Sequence, residues 1–168
     1  NLYLTKDQMP AGLANRMKKL SEGTDSLYLS FDHDPSKGGK GFLESANRIT
    51  LVPGKFRGAN TGNRAWSEMW SAGYAVGGSV IQANKCYSRF KQTGIEGYRI
   101  LFMKSVDAYY NEDPPLSEVL YPSNYSSLFD MMMNAYELTG EERFLTRAKT
   151  YIELSVEALL GDESPLPK

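Results

Sequence analysis

The chain has one cysteine, Cys86, so an intrachain disulfide is excluded, although the compartment stays open. It has no excess of either charge. A net charge of −1 and a pI near 5.9 leave no basic stripe of the kind a nucleic-acid binder needs. It also lacks a long apolar run: the longest stretch without a charge, Met69–Asn84, carries Ser, Gly, Gln and Asn and is too short and polar to span a bilayer. No signal peptide is visible. Gly38-Gly39-Lys40-Gly41 lacks the spacing and the following Ser/Thr of a phosphate-binding loop. There is one histidine, His33, and no HxxxH or CxxC spacing, so no metal site or cofactor is implied.

What remains is an ordinary folding composition. With 168 residues and 41% hydrophobic content the chain can build a real core. Within it a pattern occurs twice. Cys86-Tyr87-Ser88-Arg89-Phe90-Lys91-Gln92-Thr93-Gly94 precedes a helical stretch from Ile95 to Tyr110, and Asn134-Ala135-Tyr136-Glu137-Leu138-Thr139-Gly140 precedes one from Glu141 to Leu160. The two Thr-Gly pairs lie 46 residues apart. A repeat of that period predicts stacked helical hairpins, each unable to bury its apolar face alone.

Along the chain, residues 1–59 and 60–168 differ in character. The first part predicts a short helix with Asp7 as cap, Pro10 in its first turn, Leu13, Met17 and Leu20 on one face, and an end at Ser21-Glu22-Gly23-Thr24. Ser26–Phe31 alternates like a strand and Arg48–Val52 is a second strand candidate, which together predict a small β element. The second part predicts a helical-hairpin domain, packed as one unit with the first. A helix from about Ala65 or Ser67 to Gln92 contains Gly73, Gly77 and Gly78. Each lowers helix propensity by about 1 kcal/mol relative to Ala, which calls for close packing or a break at Gly77-Gly78. Helices over Ile95–Tyr110, Tyr125–Leu138 and Glu141–Leu160 follow. On the last, Leu145, Ala148, Ile152, Ser155, Val156 and Leu159 form the expected apolar face.

The sharpest polar cluster is Asn60-Thr61-Gly62-Asn63-Arg64-Ala65-Trp66-Ser67-Glu68-Met69-Trp70. Asn60, Asn63 and Arg64 precede a helix, where free N–H groups and the dipole favour anions, and a guanidinium matches a carboxylate. Trp66 and Trp70 share a helical face that could stack a sugar ring or enter the core. Glu68 can pair with Arg64 at i,i+4 or, if desolvated, serve as an acid.

The run Asn63–Gly73 resembles the Asn-Trp-…-Glu-…-Gly helix start of polysaccharide lyases with an α/α-toroid fold. The hairpins ending in Tyr-Glu-Leu-Thr-Gly resemble the repeats of α/α toroids over about residues 65–160. Arg64 stands where that family often has an aromatic residue. The resemblance implies a mainly α protein built of toroid-type helical hairpins, with an Asn that neutralises a uronate carboxylate and a Tyr or His that removes the α-proton. Carried over, Asn63 is the neutraliser, and Arg64 would assist. Tyr121 and Tyr125, at the start of the third long helix, are the base or acid candidates. Asn60, Trp66, Glu68 and Trp70 are the substrate-binding candidates. His33, between Asp32 and Asp34, is open to three readings: general acid or base, metal ligand, or solvated turn.

Four long helices make two hairpins, against about six in a closed toroid of that family. The toroid is therefore expected to be incomplete, and another chain or more of the same polypeptide would complete it. The start at Asn1 and the Pro-rich end at Ser164–Lys168 fit a processed, cut or partial product. The implied partner is an acidic oligo- or polysaccharide, with no nucleic acid or membrane involved. The implied compartment is periplasmic or extracellular. Alternatives are a hydrolase of the same fold, with Glu68 or Asp130 as acid, and a non-catalytic helical-repeat binding or assembly module.

Overall fold

The computed structural model describes residues 8–31, 33, 49, 74–111 and 122–162. Among these it is mainly helical, with five helices and no strand. The chain divides into two compact units, Asn1–Asp32 and His33–Lys168.

The first unit contains helix α1, Ala11–Ser30. Pro10 sits at its N-cap rather than in its first turn, and the Pro10 carbonyl accepts the Leu13 and Ala14 N–H groups at 2.9 and 3.1 Å. The helix does not stop at Ser21–Thr24, nor is Ser26–Phe31 a strand: both lie within α1 or at its C-cap. Extending a helix gains one hydrogen bond per residue fixed, whereas an isolated strand gains none. Thr24 Oγ1 donates to the Leu20 carbonyl at 2.8 Å, so its hydroxyl is satisfied inside the helix instead of breaking it. The other strand candidate, Arg48–Val52, lies outside the described residues apart from Ile49.

The second unit holds α2 (Tyr74–Thr93), α3 (Glu96–Tyr109), α4 (Pro122–Thr139) and α5 (Glu142–Leu160). Helix α2 runs through Gly77-Gly78 unbroken. The expected positions of the helices hold to within a few residues, except that the predicted start of α2 lies outside the described residues.

The two Thr-Gly turns are near copies. Gly94 and Gly140 adopt φ of 70° and 71°, a left-handed conformation that glycine takes without steric cost. Their N–H groups donate to the Phe90 and Tyr136 carbonyls at 2.7 and 2.8 Å. Thr93 Oγ1 donates to the Arg89 carbonyl at 2.8 Å and accepts the Ile95 N–H at 3.2 Å. Thr139 repeats this with Ala135 and Glu141 at the same two distances. One hydroxyl thus satisfies a carbonyl at the end of one helix and an amide at the start of the next. That is why Thr precedes Gly in both copies.

Helix α2 packs on α3, α4 on α5, and α2 on α4. Val80, Ala83, Cys86 and Tyr87 of α2 are buried, as are Tyr98, Leu101, Phe102, Ser105, Val106 and Tyr109 of α3. Tyr125, Leu128, Met131, Met132 and Ala135 of α4 complete the interior. Helix α5 departs from expectation. Its buried stripe is Phe144, Ala148, Tyr151 and Ala158, whereas Leu145, Ile152 and Val156 are exposed. The helix carries two adjacent apolar stripes, and the core takes the one holding both large aromatic rings. The Tyr151 hydroxyl donates to the Tyr109 carbonyl at 2.9 Å, at the C-terminal end of α3.

Candidate functional site

The described residues that join the two hairpins form a polar seam between α2 and α4. Asn84 Nδ2 donates to the Ser127 carbonyl at 3.0 Å, and Asn84 Oδ1 accepts from Asn134 Nδ2 at 3.1 Å. Near the other end, Lys91 Nζ donates to Glu137 Oε1 at 2.7 Å. Lys91 and Glu137 are 46 residues apart, so they occupy the same position in successive repeats. Asn84 meets residues on either side of position 130, its own repeat equivalent. Both contacts run in the same direction, which makes α2 and α4 parallel and places their N-terminal ends on one side of the layer.

The electrostatics of the seam are those of a clasp. Lys91 holds the Glu137 carboxyl below the ordinary carboxylate range, and Tyr87 adds to that effect. The Tyr87 hydroxyl is held well above its ordinary range, first by burial and then by Glu137, although it stops short of good hydrogen-bond geometry. Tyr87 therefore stays neutral and Glu137 ionised at neutral pH. The ion pair is more than half exposed, so water screens it.

Of the candidate site residues, Tyr125 and His33 are described. Tyr125 lies in the first turn of α4, at the helix entrance, and is buried. Burial raises its pKa, which disfavours the phenolate a base requires and favours a neutral proton donor. His33 is buried, which corrects the reading of it as a solvated turn. Asn60, Asn63, Arg64, Trp66, Glu68, Trp70 and Tyr121 lie outside the described residues. Asp130, an acid candidate for a hydrolase, is exposed on α4.

Two features escaped the sequence reading. The Asn84–Asn134 bridge had a signal in principle: opposite charges at Lys91 and Glu137, one period apart, fix the register that brings the two amides together. The second is an apolar groove of about 440 Å³ between α4 and α5, lined chiefly by Phe129, Met133, Leu145, Ala148 and Ile152. At the turn end of α5, the Arg143 guanidinium lies 4.3 Å from the Phe144 ring centre and 5.3 Å from that of Tyr110, a cation–π arrangement that pins the two hairpins together.

No family model, curated protein or solved structure matches the chain. Among the described residues no helix is long and apolar enough to cross a membrane.

Proposed function

We propose that this chain is a carbohydrate-active domain that binds an acidic glycan at its helix entrances and cleaves it by elimination. The observation that carries the reading is the parallel pairing of α2 and α4 at a 46-residue register, because it turns both helix starts toward the same side. Asn63 and Arg64 precede the first of those helices in sequence, and Tyr125 stands in the first turn of the second. In the reaction a base removes the proton beside the uronate carboxylate, the glycosidic oxygen departs from the adjacent carbon with a proton, and a double bond forms between the two carbons. Asn63 and Arg64 stabilise the enolate charge. Tyr125, kept neutral by burial, delivers the proton to the leaving oxygen, and Tyr121 serves as base. Trp66 and Trp70 stack the sugar ring.

The test is ultraviolet absorbance during incubation with a panel of uronate-containing polysaccharides, since elimination creates a conjugated double bond and hydrolysis does not. The wild-type chain is expected to raise the absorbance on at least one polymer. Tyr125→Phe should slow this about 10²–10⁴-fold and Asn63→Ala about 10²–10³-fold. Reducing ends without absorbance would point to hydrolysis, and no turnover on any polymer sinks the enzyme reading.

A second reading, a non-catalytic helical-repeat assembly module, is favoured by the second apolar stripe on α5 and the groove beside it. It predicts no turnover at all.

A further inference from the structure

Independently of any catalytic activity, we propose that the groove between α4 and α5 seats a second copy of this chain, which enters by its helix α2 in the register that stacks the second hairpin on the first. The groove continues an interface already present. Phe129 and Met133 stand 46 residues after Ala83 and Tyr87, and Ile152 stands 46 after Val106. Those three earlier residues are buried in the first hairpin, on which the second is stacked. Their equivalents line an open groove on the second hairpin. Among the described residues this face of the second hairpin is apolar, and an apolar face in such an array calls for a further layer.

The opposite side of the stack supplies the complement. On α2, Ile81 is 42% exposed, and Lys85 and Ser88 are exposed. They stand 46 residues before Ser127, Met131 and Asn134, the part of α4 that lies along α2. Moving one copy by a repeat step places Ile81 beside the groove and Lys85 and Ser88 at the height of Asp130. The same step brings Lys91 of the incoming copy to the level of Glu137 of the first, although each of these is already paired within its own chain. Each copy thus offers a groove of mainly apolar side chains with Lys149 among them and Asp130 on the same helix as Phe129 and Met133, and on α2 an exposed Ile81 flanked by Lys85 and Ser88. The contact is head to tail, so each added copy leaves a new groove open until a ring closes or a filament grows.

Sedimentation velocity on the full chain over a range of concentrations tests this. The wild type is expected to exceed the monomer mass increasingly with concentration. Ile152→Asp in the groove and Ile81→Asp on α2 should each weaken association at least about tenfold, by setting a charge against apolar surface. Circular dichroism checks that both variants remain folded. Mixing them is decisive, because Ile81→Asp keeps an intact groove and Ile152→Asp an intact α2. The mixture should form a heterodimer that grows no further. A wild type that stays monomeric at all concentrations overturns the proposal. So does a groove-to-groove dimer, which Ile152→Asp abolishes and Ile81→Asp leaves unchanged.

Discussion

Val106 and Ile152 occupy the same place in the two hairpins, 46 residues apart, yet Val106 is fully buried and Ile152 is 48% exposed. Phe102 and Ala148 form another such pair, and both are buried. The turns agree still more closely, with φ of 70° and 71° at their glycines. Local structure therefore repeats faithfully where a few neighbouring residues determine it. Burial differs because it depends on what is stacked next. The first hairpin has the second against it, and within the unit His33–Lys168 no described helix lies on the equivalent side of the second.

The largest expected effect tests that contrast directly. Val106→Asp places a charge in the closed interior and should cost at least about 3 kcal/mol, enough to unfold a marginal domain. At low protein concentration Ile152→Asp should stay within about 0.5 kcal/mol of the wild type, as surface changes do. Thermal melts followed by circular dichroism compare them, and equal melting temperatures would erase the distinction between the two hairpins.

Next come the turns, where likeness rather than difference is expected. A Cβ added at Gly94 or Gly140 meets nothing within 4 Å, so an alanine there pays only for left-handed backbone. Each substitution should lower stability by about 1–2 kcal/mol. Urea midpoints of Gly94→Ala and Gly140→Ala should coincide within error; a clear gap between them would show that the turns are not equivalent. Tyr151→Phe removes the bond to the Tyr109 carbonyl, at a cost of about 0.5–1.5 kcal/mol. If the melting temperature does not change, that bond does not hold the second hairpin to the first.

The smallest effects lie in the pH dependence of the seam. Tyr87 has a folded pKa above its unfolded value of about 10. Its stabilising contribution is complete below that pH and is lost as the pH rises through the folded value. Tyr87→Phe should therefore flatten the alkaline side of the stability curve. Glu137 has a folded pKa below its unfolded value, so its contribution is present above about pH 4.5 and fades as the solution becomes more acid. Lys91→Ala should remove that acid dependence, and raised salt should weaken it. A seam indifferent to both substitutions would reduce the clasp to a contact without consequence.

Much of the helical framework could be read from residue order. Thr93-Gly94 and Thr139-Gly140 mark their turns because hydroxyl and glycine chemistry act over four residues. In α2 and α3 the buried residues Val80, Ala83 and Tyr87, and Tyr98, Leu101, Phe102 and Ser105, each keep a single helical period. Helix α5 was misread because Leu145, Ile152 and Val156 keep that period as well as Phe144, Ala148 and Tyr151 do. Helix α1 was cut short because Gly23 and a six-residue alternation imitate an ending and a strand. Of the candidate site, Tyr125 stands at a helix entrance as expected, and of the three readings of His33 burial removes the solvated turn.

Residue order by itself determined where the helices of the two hairpins run, how their turns close and that they repeat every 46 residues. Those features rest on hydrogen bonds and steric limits between near neighbours. Only the tertiary structure decided which stripe of α5 enters the core, how Asn84 finds Asn134 and which groove is left open. Burial is a property of surfaces brought together from distant parts of the chain, and two stripes of equal period cannot be ranked until the partner that covers one of them is in place.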